Sequence, residues 1–118
     1  MTLKKVEYLF DCKVALRAYP GMVHAHVTEG GEWLKKSRTL GAAGRDDKDA
    51  LSRLVALAYQ EVSDFVMRRA QRRCERCGAL GPLQTHHKVY RSHRGQHVPS
   101  NCEAACSKCH EKIHGPKR

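Results

Sequence analysis

Hydrophobic and polar residues alternate along the first third of the chain, which is the pattern of β-strands with one buried face. The alternation runs through residues 6–18 and, after a Pro-Gly turn at 20–21, resumes over 23–27. A Glu-Gly-Gly turn at 29–31 precedes a weaker strand pattern over 33–40. The sequence therefore predicts an antiparallel meander whose apolar face needs a cover.

The following segment changes to helical spacing and can supply that cover. Its apolar residues recur three and four positions apart on one stripe: Leu51, Leu54, Val55, Ala58, Val62, Phe65 and Val66. Asp46 or Asp47 is placed to cap the first turn of this helix. The predicted helix ends in arginines that either complement the helix dipole or line a path for phosphates: Arg68, Arg69, Arg72 and Arg73.

The 118 residues suffice for one compact domain or two very small ones. Charge is unevenly distributed, because residues 1–67 carry a net charge of +1 and residues 68–118 a net charge of +9. A concentrated positive field predicts a polyanionic partner, most often nucleic acid, although a basic surface can also serve solubility alone. No apolar run is long enough for a membrane span and no signal peptide is evident, so we expect a cytoplasmic, intracellular protein without a membrane partner.

Four of the six cysteines form two C-x-x-C pairs: Cys74, Cys77, Cys106 and Cys109. Each pair can present two thiolates to one ion at a tight turn, so the sequence predicts a four-cysteine structural zinc site. A redox motif is the weaker alternative, because such motifs do not come doubled around a histidine-rich insert. The remaining Cys12 and Cys102 are expected to be small buried residues.

Four of the eight histidines form two tight clusters in the same basic segment. His86 and His87 are consecutive on a predicted strand over 83–89, so their imidazoles should point to opposite sides and can take different roles. His110 and His114 are four positions apart on a predicted helix, which places both imidazoles on one face, where they could share an ion.

These cysteines and histidines, together with one asparagine, resemble the HNH endonuclease family, the zinc-knuckle branch of the ββα-metal nucleases, across residues 74–115. The type, order and spacing agree at these positions: Cys74, Cys77, His86, His87, Asn101, Cys106, Cys109, His110 and His114. The resemblance implies phosphodiester hydrolysis assisted by one divalent cation. This chemistry needs a base to activate water and a cation to neutralise the phosphate, and imidazoles can serve both needs.

The resemblance also implies a role for each matching residue. It makes His87 the general base, His86 and His110 ligands of the catalytic ion, and His114 a further ligand. It makes Asn101 a brace for the loop beside the base, and an amide that both donates and accepts can tie the 88–100 loop to the backbone. Many relatives have Asp or Glu in place of His86, so the ion could be Mg, Mn, Ni, Co or Zn, with imidazoles favouring the softer ions over Mg.

Between the histidine clusters lies a basic loop. Arg91 and Arg94 are expected to contact phosphates of the nucleic acid, since arginine can bind a phosphate with two parallel hydrogen bonds; solvated loop charge is the alternative. His93 and His97 are expected to be ordinary loop residues.

We therefore predict an α+β protein. Residues 1–72 should form an N-terminal antiparallel sheet with a long helix, and residues 73–118 a zinc-stapled ββα-metal finger. The predicted function is a metal-dependent endonuclease that cuts DNA, expected to be double-stranded, with dimerisation left open. A zinc-stapled nucleic-acid-binding protein without catalysis is the alternative, but it explains only the cysteines. A deaminase-like zinc site would need a glutamate beside the ligand histidine, and none adjoins positions 86–87.

Overall fold

A computed structural model of the chain describes residues 2–34 and 40–114, with side chains as far as residue 111. The described elements follow one another in this order: α1 (Leu3–Phe10), β1 (Lys13–Tyr19), β2 (Met22–Glu29), β3 (Gly41–Gly44), α2 (Asp47–Ala70), β4 (Leu83–His87), β5 (Cys102–Cys106) and α3 (Ser107–His114). Two single turns of 3-10 helix lie between β4 and β5. Mixed α+β architecture, with an N-terminal sheet and a long helix before the cysteine-rich segment, is confirmed.

The first element is a helix, so the strand expected over residues 6–18 is wrong in its first part. The Thr2 hydroxyl caps the first turn of α1, and Asp11 ends the helix in the left-handed conformation with φ of 47°. Val6 and Phe10 are both fully buried on one face of α1. Residues four positions apart share a face in a strand and in a helix alike, and packing against the core selects the helix here.

The sheet has the order β1-β2-β3, with both pairs antiparallel. The expected Pro-Gly turn is confirmed, because Tyr19 pairs with Met22 across it and Gly21 has a φ of 73° that favours glycine. The third strand of the described sheet is β3, which follows the segment 33–40 where the alternation predicted a strand. Trp33 lies in a turn, where its buried indole Nε1 donates to the Phe10 carbonyl at 3.1 Å, and residues 35–39 lie outside the described part of the chain.

β3 has the sequence Gly-Ala-Ala-Gly, which carries no hydrophobic alternation and so does not indicate a strand. Its second glycine lies under the start of α2, where a Cβ at Gly44 would come within 2.3 Å of the Ala50 amide nitrogen. The strand can pass beneath the helix only because this position has no side chain.

Helix α2 covers the sheet as predicted. Asp46 is its N-cap, with Oδ1 accepting from the Asp49 amide at 2.8 Å. The buried positions of its stripe include Leu51, Leu54, Ala58, Val62 and Val66. In the described part of the chain, neither α2 nor any other helix combines the length and apolar character needed to cross a membrane.

Strands β4 and β5 form a second, two-stranded antiparallel sheet that also packs on α2. Cys102 and Ala104 of β5 are fully buried and belong to the same hydrophobic cluster as the residues of α2 and β2. The hairpin register pairs Leu83 with Cys106 at one end and His87 with Cys102 at the other. A single core therefore joins the N-terminal elements to the segment that carries the paired cysteines and histidines.

Arg69 near the end of α2 strengthens this junction. Its guanidinium forms a bidentate ion pair with Glu75, with both N···O distances 2.8 Å. It also donates to the carbonyls of Pro99 and Cys102, each at 2.9 Å. Phosphate contact, one of the two roles considered for this arginine, does not describe it, because the guanidinium is engaged by the fold itself. Its position in the last turn of α2 still complements the helix dipole.

Candidate functional site

The four paired cysteines converge at the Leu83–Cys106 end of the hairpin. Their Sγ atoms all lie within 4.8 Å of one another, and those of Cys77 and Cys106 are 3.7 Å apart. Four thiolates bound tetrahedrally to one zinc ion are about 3.8 Å apart, given Zn–S bonds of about 2.3 Å. The cluster can therefore hold one structural metal ion, as the sequence predicted.

The backbone of the first cysteine pair prepares the thiols for an ion. The Cys74 amide donates to the Ala79 carbonyl at 2.9 Å, and Gly78 closes the turn with a φ of 78°. Backbone amides, that of Cys106 foremost, lower the pKa of the Cys74 thiol to about 6. The side-chain contact with Cys77 raises the pKa of Cys109 to about 12. Since neighbouring thiolates repel one another, ionising all four requires a cation among them.

At the other end of the hairpin, His86 points toward α3. Its ring is 5.9 Å from that of His110, at an interplanar angle of 89°, and 6.0 Å from that of Tyr90. His86 is buried and His110 is half-buried. Two imidazoles at this separation could supply ligands to one ion. The side chain of His114, the expected third ligand, lies outside the described residues.

His87 faces the opposite side of β4, toward α2. Its Nε2 lies 2.7 Å from Nδ1 of His97, and its ring is 6.5 Å from that of Tyr59. Burial foremost, and then the charges of Arg91 and His86, lower the pKa of His87. A neutral imidazole with a depressed pKa can accept a proton at neutral pH, which is what a general base requires.

His97 is not the ordinary loop residue that the sequence suggested. It is fully buried and stacked on Tyr59, with ring centroids 3.7 Å apart and planes 6° apart, and burial lowers its pKa to about 4. Phe10 of α1 meets the same ring edge-on at 5.9 Å. The residues that bury His97 are distant in sequence, so no local pattern could have identified it.

Asn101 holds the loop beside His87 closed. Its Oδ1 accepts from the Val89 amide at 2.9 Å, and its Nδ2 donates to the carbonyls of Val89 and Gln96 at 3.1 and 2.7 Å. The loop is so tight at Gly95 that a Cβ there would come within 1.8 Å of the Val89 carbonyl oxygen. These hydrogen bonds are the kind that a loop brace makes, while the residue's part in catalysis stays a prediction.

Arg91 and Arg94 are exposed on this loop and line a cleft against α1, to which Lys4 and Lys5 also contribute. The Tyr8 hydroxyl donates to the Arg94 carbonyl at 2.6 Å and fixes α1 against the loop. Sequence alone does not associate the lysines with these arginines, because helix α1 was not predicted. The cleft presents four cations on one surface.

Residues 74–115 match the family described as HNH endonuclease. This segment is an HNH domain. The match covers the cysteine cluster, the hairpin with His86 and His87, Asn101, and the helix that carries His110. A search of curated proteins gave no match. The match therefore supports a nuclease function, in general terms, for the C-terminal segment. The helices α1 and α2, which pack on this domain, lie outside the matched residues.

Proposed function

We propose that the protein is a metal-dependent endonuclease that hydrolyses DNA phosphodiester bonds, with His87 as the general base. The observation that carries the proposal is that an HNH domain places His86 beside His110 on one face of β4 and His87, with its lowered pKa, on the other. One face therefore offers ligands and the opposite face offers a proton acceptor.

His86 and His110 would hold the catalytic cation, with His114 proposed as a further ligand. When bound, a divalent cation neutralises charge on the phosphate and on the departing oxygen. An imidazole ligand set is suited to Zn, Ni, Co or Mn more than to Mg, so we expect the softer ions to support the higher activity. The cysteine cluster is proposed to hold a separate, structural zinc ion, which takes no part in the chemistry.

The nucleic acid is proposed to follow the cleft between α1 and the loop. Arg91, Arg94, Lys4 and Lys5 line this cleft, and the segment from residue 68 onward carries most of the net positive charge of the chain. Attraction of this kind is directed at phosphates and gives affinity without sequence preference. It supports a DNA partner that is bound through its backbone.

Cleavage of a supercoiled plasmid tests the proposal. The protein is incubated with Mg, Mn, Co, Ni or Zn ions, or with EDTA, and nicked and linear products are measured. We expect cleavage that depends on the ion, and His87→Ala should reduce the rate by about 10² to 10⁴. His93→Ala is the matched control, because His93 is an exposed histidine of the same loop.

Two results would contradict the proposal. If the protein binds the plasmid but does not cleave it with any of the ions, the result would support the alternative function, which is nucleic-acid binding without catalysis. Equal cleavage by His87→Ala and His93→Ala would show that His87 is not the base, provided both variants keep the metal content and the thermal unfolding of the unaltered protein.

A further inference from the structure

We infer that His97 is a positioning residue that fixes the tautomer of His87, so that Nδ1 of His87 is the nitrogen that receives the proton. The inference rests on the proposed function and adds to it the atom that acts as base and the residue that orients it. It is carried by the hydrogen-bond partners on the two ring nitrogens of His97.

The Nε2 side of His97 decides where its proton lies. Nε2 is 3.1 Å from the Tyr59 carbonyl oxygen and 3.4 Å from the Ser63 hydroxyl. A carbonyl oxygen can only accept, and at 3.1 Å a lone pair on Nε2 would repel it, whereas an N–H would donate to it, so Nε2 carries the hydrogen. The pKa near 4 keeps this ring neutral at physiological pH. With its single hydrogen on Nε2, His97 has a lone pair on Nδ1.

The Nδ1 side then decides the tautomer of His87. Since Nδ1 of His97 is an acceptor, Nε2 of His87, at 2.7 Å, must be the donor. Cys102 is the other neighbour of this nitrogen, with its Sγ 3.8 Å away. Burial raises the pKa of Cys102 to about 11, so its thiol keeps its proton and can donate weakly to this lone pair. A neutral His87 therefore has its hydrogen on Nε2 and its lone pair on Nδ1.

The side chains of His87, His97 and Cys102 are close together, as metal ligands would be, but their spacing favours a hydrogen-bonded group. Ligand atoms of His87, His97 and Cys102 lie within 4.8 Å of one another. Two imidazole nitrogens on one tetrahedral ion would be about 3.3 Å apart, given metal–nitrogen bonds of about 2.0 to 2.1 Å. The observed 2.7 Å is the distance of a hydrogen bond.

The arrangement has a consequence for the reacting proton. Water gives one proton to Nδ1 of His87, its oxygen forms the new bond to phosphorus, and the bond to the departing oxygen breaks, with that oxygen taking a proton from solvent. His87 is then a cation that still donates through Nε2 to His97. The neutral His97 ring stabilises this cation by accepting, without itself gaining a proton.

Elements outside the HNH match hold His97 in place. The His97 amide donates to the Leu9 carbonyl at 2.7 Å, and the ring lies between Phe10 and Tyr59. α1 and α2 thus fix the residue that orients the proposed base. This gives the N-terminal part of the chain a role in the chemistry that the sequence did not suggest.

Long-range ¹H–¹⁵N spectra of the imidazoles test the tautomer directly, with the His87 signals assigned from the spectrum of His87→Gln. In the unaltered, metal-loaded protein we expect the hydrogen of His87 on Nε2. His97→Phe keeps a ring stacked on Tyr59 but removes the acceptor, so His87 should become a mixture of tautomers. His97→Asn offers an oxygen in place of Nδ1 and should restore part of the Nε2–H population.

Cleavage by the same variants tests the positioning role. We expect His97→Phe to lower kcat at least about tenfold with KM changed little, His97→Asn to recover part of that loss, and His93→Phe to match the unaltered protein. A hydrogen on Nδ1 of His87 in the unaltered protein, or full kcat in His97→Phe, would overturn the inference. If the unaltered protein shows the expected tautomer but cuts no DNA, the proposed function fails while the tautomer assignment stands. If His97→Phe does not fold, the spectrum of the unaltered protein and the behaviour of His97→Asn still test the inference.

Discussion

The two ends of the β4–β5 hairpin are built in different ways. At the Leu83–Cys106 end, four thiols from two short turns approach one another and leave room for an ion. At the His87–Cys102 end, imidazoles are held by stacking, burial and hydrogen bonds from α1, α2 and the loop. The first end is arranged so that a metal ion can hold it together, whereas the second is held by packing against α1 and α2.

The difference shows which parts of such a site can be predicted from a sequence. Metal ligands that come in spaced pairs are visible because each pair is local, and only the meeting of the pairs requires the fold. The hydrogen-bonded histidines His87 and His97 are ten positions apart in the sequence. The residues that surround them, such as Phe10, come from much earlier in the chain. The following predictions separate the two ends experimentally, beginning with the largest expected effect.

Loss of a thiol should destroy the cysteine end. Cys77→Ser is expected to release the structural metal and unfold the segment around it, because small zinc-held segments seldom have enough core to fold without the ion. Cys12→Ser is the matched control, since Cys12 is half-buried and lies outside the cluster. Metal content and thermal unfolding are the measurements. Intact metal content and unchanged unfolding in Cys77→Ser would show that the four cysteines do not form one site.

Substitutions on the two faces of β4 should impair DNA cleavage in different ways. His86→Ala and His110→Ala are expected to weaken catalytic-metal binding and to regain part of their cleavage when excess metal is added. His87→Ala should retain that binding, remain 10²- to 10⁴-fold slow, about 3 to 5 kcal/mol in the barrier, and gain nothing from excess metal. Metal-titrated cleavage beside calorimetric metal binding distinguishes the cases. Loss of the catalytic metal in His87→Ala would reverse the assignments.

Arg69 tests the dependence of the HNH domain on α2. Arg69→Met keeps the side-chain stem but leaves Glu75 and two carbonyls without their donor, and we expect a loss of about 1 to 3 kcal/mol in the free energy of unfolding. Arg68→Met, one position earlier and exposed, should cost little. Denaturant unfolding at fixed metal concentration measures both. Equal values for the two variants would mean that the junction is held by apolar packing alone.

The same junction should respond to acid. The Arg69 guanidinium lowers the pKa of Glu75, so the folded carboxylate binds its proton less readily than the unfolded one does. The contribution of this pair is therefore complete above the unfolded value near 4.3 and is lost as the pH falls through the folded value. Glu75→Gln should flatten this part of the stability curve relative to the unaltered protein. Identical curves for both proteins would contradict the prediction.

The smallest effects are expected in the basic cleft. Arg91→Ala, Arg94→Ala and Lys5→Ala should each weaken duplex DNA binding by several-fold, to a similar degree for different sequences, and lower the salt dependence by about one phosphate contact. Arg17→Ala, at an exposed position of β1, is the control. Fluorescence anisotropy across a salt series measures these changes. Weakening confined to one DNA sequence would indicate contact with bases instead of phosphates.

The fold was predictable where one periodicity was unambiguous. The stripe of α2 and the pairing of β1 with β2 satisfy only one period, whereas Val6 and Phe10 fit a strand and a helix equally well. β3 could not be read from Gly-Ala-Ala-Gly, because small residues carry no hydrophobic signal. In the candidate site, the cysteine cluster followed from spacing. The contacts of His97 and the ion pair of Arg69 depend on residues brought together only by the tertiary fold.

The docking of α1 on the loop also bears on how this HNH domain could be reused. Tyr8 accepts through its carbonyl from Gln96, donates through its hydroxyl to the Arg94 carbonyl, and precedes the Leu9 carbonyl that binds the His97 amide. A graft of residues 74–115 onto another scaffold would carry its cysteines and β4 with it but leave these three contacts behind. A recipient scaffold would have to supply a helix at the same place to shape the loop, so the transferable unit is larger than the motif by which the domain is recognised.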